Sequence, residues 1–226
     1  MASAPRWHVN SRLPATTSWS PPVPSTPAAR WVAEIVAAGG SAEFQPCDVT
    51  DARSVAAVAA HLGDRPLHVL VNNAAAFADW GEVPSTADLD VTATVLDTNV
   101  LGPWRVVQAL LPALRRAGHA RIVNVGSGAG SHGEPRFGLA TGPAAPSYAV
   151  SKAALHALSV KFAQELRETG ILVNVVDPGL TATAAGMEAM GARPVGDGAA
   201  SIVRTALGPD DGTSGGFFRD GEALPW

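Results

Sequence analysis

Tyr148 is the only tyrosine in the chain, and it stands four residues before Lys152 in the run Ser147-Tyr-Ala-Val-Ser-Lys152. The one other lysine is Lys161. In a helix, residues four apart lie on one face within reach of each other. A phenol of pKa ~10 is a poor acid at neutral pH, and an adjacent ammonium lowers that value by favouring the phenolate. The pair is therefore a candidate proton donor to a carbonyl, or acceptor from an alcohol. An exposed helix carrying an incidental Tyr and Lys would show the same spacing, so the surrounding chain has to decide between the two readings.

A helix running from Tyr148 to about Glu168, and stopped by Gly170, must present the pair. Three apolar runs read as strands: Leu67–Val71, Arg121–Val125 and Ile171–Val176. They end in Asn72-Asn73, Gly126-Ser127 and Asp177-Pro178-Gly179. Shorter strands are expected at Ser41–Cys47 and Gly216–Arg219. Helices are expected at Ala28–Ala38, closed by Gly39-Gly40, at 52–62, at about 88–117 with Pro103 as a bend, and at 197–206. Asp48-Val-Thr-Asp51 supplies capping residues for the second of these. Short apolar strands alternating with helices predict a parallel sheet covered on both faces. Ligands of such sheets bind beyond the carboxyl ends of the strands. Asp48, Asn72-Asn73, Ser127 and Pro178-Gly179 all fall at that edge.

A chain of 226 residues with 46% hydrophobic and 16% charged residues can bury one sizeable core. A net charge of −4 without a basic cluster argues against nucleic acid as a partner. The single cysteine, Cys47, forms no internal disulfide and points to a reducing compartment. No apolar run approaches the ~18–20 residues that span a bilayer, so a cytoplasmic location without membrane attachment is expected. The six histidines lack metal-ligand spacing, and His61, His119 and His156 read as ordinary surface or helix residues. Residues 1–29 hold six prolines and no acidic residue, and read as a disordered or irregular segment ahead of a domain over 30–226. Gly126-Ser-Gly-Ala-Gly-Ser-His-Gly133 follows a strand as a phosphate loop would. It lacks the helix opening and the acidic residue ~20 positions on that a dinucleotide fingerprint needs. A hydrolase built on Ser127 would want a histidine base, and none is apparent.

From about residue 30 onward the chain resembles a short-chain dehydrogenase/reductase of the carbonyl-reductase-like kind. The resemblance rests on Asp48-Val49, Asn72-Asn73-Ala74-Ala75, Asn99 in Asp-Thr-Asn-Val, Ser127, Tyr148/Lys152, Pro178-Gly179 with Thr183, and the ending Gly215–Trp226. It implies a Rossmann-like, doubly wound parallel sheet in a single α/β domain, incomplete at its N-terminal βαβ unit. It further implies that Tyr148 is the general acid, that Lys152 lowers its pKa and holds the nicotinamide ribose, and that Ser127 hydrogen-bonds the substrate oxygen. Asn99 would position a water linking Lys152 to solvent. The implied cofactor-binding set is Asp48 and Val49 at the adenine end, Asn72, Asn73 and Ala74 along the adenine ribose side, and Tyr148 and Lys152. Pro178, Gly179, Thr181 and Thr183 complete it around the nicotinamide amide. Other readings stay open for some of these: Asp48 as a helix cap, Asn72-Asn73 as a turn, Thr181 and Thr183 as loop hydroxyls.

The implied cofactor is NADP or NAD, the substrate a small carbonyl compound or alcohol, and the assembly a homodimer or homotetramer through helix 88–117 and the Tyr148 helix. The chain departs from the family in two places. The proline-rich 1–29 stands where T-G-x-x-x-G-x-G belongs, as truncation, a shifted frame or a misplaced start would produce. Without that loop the alternative is a catalytically silent remnant acting by oligomerisation or surface interaction. The second departure is the spacing of Ser127 and Tyr148, which makes residues 132–146 read as an inserted loop over the substrate cleft.

Overall fold

A computed structural model describes residues 27–208 and 212–226. The chain divides into two compact units, Met1–Cys47 and Asp48–Trp226. In the first, α1 spans Pro27–Ala37, with proline at the start where its missing N–H is not needed. Arg30 and Glu34 pair across one turn at 2.9 Å. The junction expected at 29/30 therefore falls inside a helix, and the rest of the proline-rich segment lies outside the described residues. Ser41–Cys47, expected as a strand, forms none. Its apolar residues are interrupted by Glu43, Gln45 and Pro46, and a strand exists only where a ladder pairs it. Among the described residues no ladder pairs this segment.

The second unit holds the sheet, in the order β1-β2-β3-β4-β5. Strands β1 (Val69–Asn72), β2 (Ala120–Val125), β3 (Ile171–Val176) and β4 (Phe217–Arg219) are parallel, and β5 (Glu222–Ala223) returns antiparallel. Asp220 (φ 56°) and Gly221 (φ 89°) make the turn between β4 and β5, as an Asp-Gly pair does in a tight hairpin. Residues alternate across the sheet, so neighbours in one strand serve different cores. Ile122 and Val173 pack with helices α2 (Ala52–Leu62), α4 (Gly102–Arg116) and α5 (Pro146–Glu165) on one face. Val123, Val125 and Val176 pack with Ala206 and Ile202 of α6 (Val195–Ala206) on the other. This is the doubly wound, parallel arrangement expected. Among the described residues no helix is long and apolar enough to cross a membrane.

Helix 88–117 is three pieces: α3 (Leu89–Leu96), a π turn (Asp97–Leu101) and α4. Asp88 caps α3 by accepting from Asp90 N and Val91 N. The π turn lies just ahead of Pro103, which has no amide hydrogen for the Asn99 carbonyl one turn back. The widened turn carries Asn99 inward, fully buried.

Candidate active site

The register of the ladder brings three strand ends level. Asn72 of β1 pairs with Asn124 of β2, and Val125 of β2 pairs with Val176 of β3. One or two residues beyond these ends come Asn73, Ser127 and Asp177. Ser127 opens a short 3₁₀ turn, Gly128–Gly130, and its hydroxyl accepts from Ala129 N at 3.2 Å. That turn lies against α5 so closely that a Cβ on Gly130 would stand 2.5 Å from Ala153 N. Glycine there lets the Ser127 turn reach the Tyr148 helix. Helix α5 starts with Pro146 and buries Ser147, Ser151, Lys152, Leu155 and Ser159.

Four expected catalytic residues meet at this edge. Lys152 Nζ lies 5.5 Å from the centroid of the Tyr148 ring and donates to Val125 O at 2.8 Å. The Ser127 side chain faces the Tyr148 phenol closely enough to favour its charged form. Asn99 binds through both ends of its amide: Nδ2 donates to Ala76 O and Ser151 Oγ, each at 2.9 Å, and Oδ1 accepts from Ala76 N at 2.7 Å. Its side chain thus ties the loop after β1 to α5. Both N–H groups of the Asn99 amide are engaged, so a water bound at this position could meet only the free lone pair of Oδ1 or the Asn99 backbone.

The electrostatics correct one expectation. Burial pushes the Tyr148 phenol up to about 12; the facing Ser127 side chain opposes that rise and the negative charge of Asp177 adds to it. The ammonium of Lys152 does not reverse this, because removing the phenol from water penalises its charged form more. Burial acts on Lys152 as well and brings it down to about 8, against the pull of Asp177. Lys152, not Tyr148, is the group poised near neutrality.

Two residues that cover the phenol carry no periodic signal in the sequence. Phe77 stacks on the Tyr148 ring with centroids 4.7 Å apart and planes at 24°, and Trp80 tilts against it at 5.4 Å. Glu82 pins their loop to the start of α5, accepting from Ser147 N at 3.0 Å through Oε1 and from Ala145 N at 3.2 Å through its backbone carbonyl. A cavity of about 350 Å³ lined in part by Asp79, Glu82 and Asp88 includes none of the four catalytic candidates. Its carboxylates accept from Gly81 N, Ser147 N and Asp90 N, and so serve as turn and helix caps.

His156 is no ordinary surface or helix residue. It is buried one turn beyond Lys152, accepts from Ser127 N at 3.4 Å through Nε2, and packs edge-on against Trp226. Nε2 receives the amide rather than the Ser127 hydroxyl, so the histidine braces the turn and offers no base to the serine. The ring proton is left on Nδ1, which has no hydrogen-bond partner among the described residues. Burial, with the nearby Lys152 charge, lowers its pKa to about 4, opposed by Asp177. A group depressed on folding stabilises above its unfolded pKa of about 6.5 and loses that contribution as pH falls through 4. Over that window the fold should lose about 3 kcal/mol. Urea melts at pH 7 and pH 4 measure it, and His156→Gln should flatten the slope.

The expected cofactor set divides. Asn72 Nδ2 donates to Asn124 Oδ1 at 2.8 Å, and Asn124 passes the link to Ser159 on α5. Asn73 and Ala74 are exposed at the strand end. Asp48 accepts from Thr50 N and Oγ1, the hydroxyl bond foremost in holding its carboxyl below the usual range, while Asp51 caps α2. Val49 O accepts from Arg105 of α4 at 3.3 Å. Gly179 (φ 70°) turns the chain after Pro178. Thr181 Oγ1 donates to Gly179 O at 3.0 Å, and Thr183 is exposed with its hydroxyl toward Met187 Sδ. Loop 132–146 is tied down at its start, with Ser131 Oγ donating to Pro225 O at 2.7 Å and Gly133 N to Trp226 O at 3.2 Å. Among the described residues no group of three or more potential ligands could hold a metal.

Known proteins share this architecture. The Pseudomonas aeruginosa rhamnolipids biosynthesis 3-oxoacyl-[acyl-carrier-protein] reductase is 35% identical over 64% of this chain, a match spanning 55% of that enzyme's length. The C-signal protein of Myxococcus xanthus is 34% identical over 71% of this chain and 93% of its own. The NADPH-bound carbonyl reductase from chicken fatty liver superposes with a TM-score of 0.76 at 26% identity, covering 90% of this chain and 85% of that one. The family model for short chain dehydrogenase matches residues 23–193, a stretch that includes all three level strand ends and the helix carrying Tyr148 and Lys152. The chain belongs to the short chain dehydrogenase family.

Proposed function

We propose that this protein is an NAD(P)-dependent oxidoreductase that reduces a small carbonyl compound to an alcohol. The observation that carries the reading is the convergence of Ser127 and Lys152 on one phenol, beyond the level ends of three parallel strands. Ser127 hydrogen-bonds the substrate oxygen as charge develops on it. Tyr148, held protonated by burial, then gives that oxygen a proton.

The nicotinamide cofactor, when bound, supplies the hydride. The residues at the nicotinamide end fit such a group. Lys152 is a buried ammonium whose one acceptor among the described residues is Val125 O, which leaves two of its three hydrogens for a ribose diol. The backbone beyond Pro178-Gly179 follows the end of β3, which is level with the end of β2 that carries Val125. NADP is the form favoured here, from likeness to the NADPH-bound carbonyl reductase. Self-association through α3, α4 and α5 is part of the proposal, supported by the exposed apolar Leu89, Trp104 and Val150 on their surfaces.

Fluorescence titration with NADPH and NADH, turnover on a carbonyl panel and size-exclusion chromatography on one sample test the reading. Saturable binding with turnover is expected. A folded oligomer that ignores both nucleotides overturns it, in favour of a catalytically silent relative.

A further inference from the structure

Asp177 is almost fully buried, and neither its burial nor its charge is accounted for by proton transfer at Tyr148. One oxygen, Oδ1, accepts from Gly179 N at 2.7 Å. The other, Oδ2, accepts from Gly128 N at 2.7 Å and from Arg219 Nη2 at 2.6 Å. Gly128 follows Ser127, and Gly179 belongs to the loop beyond β3. A single carboxylate therefore spans the two loops that flank the reacting atoms. Arg219 comes from β4 near the end of the chain, and it also faces the buried Glu134 of loop 132–146 at 3.9 Å. Glu134 in turn accepts from Arg136 N at 2.8 Å and from Phe137 N. Three segments distant in sequence are locked around one buried charge. An isolated buried carboxylate is costly, so this one persists because its donors and Arg219 compensate it.

We propose that Asp177 is a positioning residue of the active site, fixing the Ser127 turn against the Pro178-Gly179 loop and setting the charge that Lys152 and Tyr148 feel. The proposal rests on the oxidoreductase reading for its effect on turnover, but its electrostatic part does not. The charged and titratable groups around Asp177 are Arg219 of β4, Glu134 of the loop, Tyr148, Lys152 and His156 of α5, and Arg193 beyond β3.

The chain's two lysines make the test direct. Carbon NMR of ¹³C-labelled lysine side chains follows Lys152 and Lys161 separately, without substrate or cofactor. In the wild type Lys152 should titrate near 8. In Asp177→Asn the nearby negative charge is gone while burial remains, so the Lys152 midpoint should fall by about one unit. A role limited to packing predicts the opposite, since a loosened site rehydrates the ammonium and raises its midpoint. Asp177→Ser serves in the same way if the Asn variant does not fold. A midpoint at or above the wild-type value in the folded variant overturns the proposal. Where the wild type turns over, the variant's kcat should also fall about 100-fold. A wild type without turnover whose Lys152 midpoint still drops in the variant would remove the oxidoreductase reading and leave the electrostatic assignment standing.

Discussion

Tyr148→Phe is expected to lower carbonyl turnover by about 10²–10⁴-fold, the usual contribution of a positioned general acid. Cofactor affinity and thermal stability should hardly change. The substitution removes only the hydroxyl: the ring keeps its stack on Phe77 at 4.7 Å and its tilted contact with Trp80 at 5.4 Å. Lys152 keeps its hydrogen bond to Val125 O, which does not involve the phenol. Ser127 loses one polar neighbour beside an exposed edge, a small loss where water can replace it. The measurement is kcat and KM on any active carbonyl substrate, beside a melting curve for each protein. Because Tyr148 is the chain's only tyrosine, the disappearance of phenolate absorbance at high pH verifies the substitution. Turnover that survives the change would show that the proton comes from elsewhere and would end the assignment.

Asn99→Leu should cost the fold about 3–5 kcal/mol, among the largest losses a single substitution produces. Leucine has nearly the right volume but no polar atoms. It would strand Ala76 N and Ala76 O, which Asn99 now satisfies at 2.7 and 2.9 Å, and would leave Ser151 Oγ only its bond to Tyr148 O. The loop after β1 would lose one of its ties to α5, leaving Glu82 to hold it, and the support of Phe77 over the phenol would weaken. For a chain of this size the melting temperature should fall by roughly 10 °C, readable by circular dichroism. A drop of only a degree or two would mean that the loop holds its place without Asn99.

Much of this arrangement was legible from local pattern. Ile171–Val176 and Ala52–Leu62 have the same bounds in the sequence reading and in the structure. Their signals, a compact apolar run and a capped run of good helix formers, act within a few residues. The parallel sheet followed from alternation of such runs, and the level strand ends followed from the parallel sheet. The return strand β5 is also legible in Asp220-Gly221, a pair that favours a tight hairpin turn. The expected strand at Ser41–Cys47 shows the limit of that logic, because strands are completed by neighbours, and a propensity run does not name its neighbour.

What local pattern could not supply was every effect that depends on burial or on residues far apart in the chain. The pairing of Tyr148 with Lys152 was visible as a spacing of four. The sign of the phenol's shift was not, because it depends on how much water Phe77 and Trp80 displace and on where Asp177 sits. His156 looked like one more helix residue until β2 and Trp226 closed around it. Asp177, Arg219 and Glu134 are dozens of residues apart, and only the folded sheet brings their charges together. The sequence alone determined which groups could exchange a proton and on which edge of the sheet they would stand. The tertiary structure decided how readily each gives it up, because solvation and Coulomb interaction depend on distance through space.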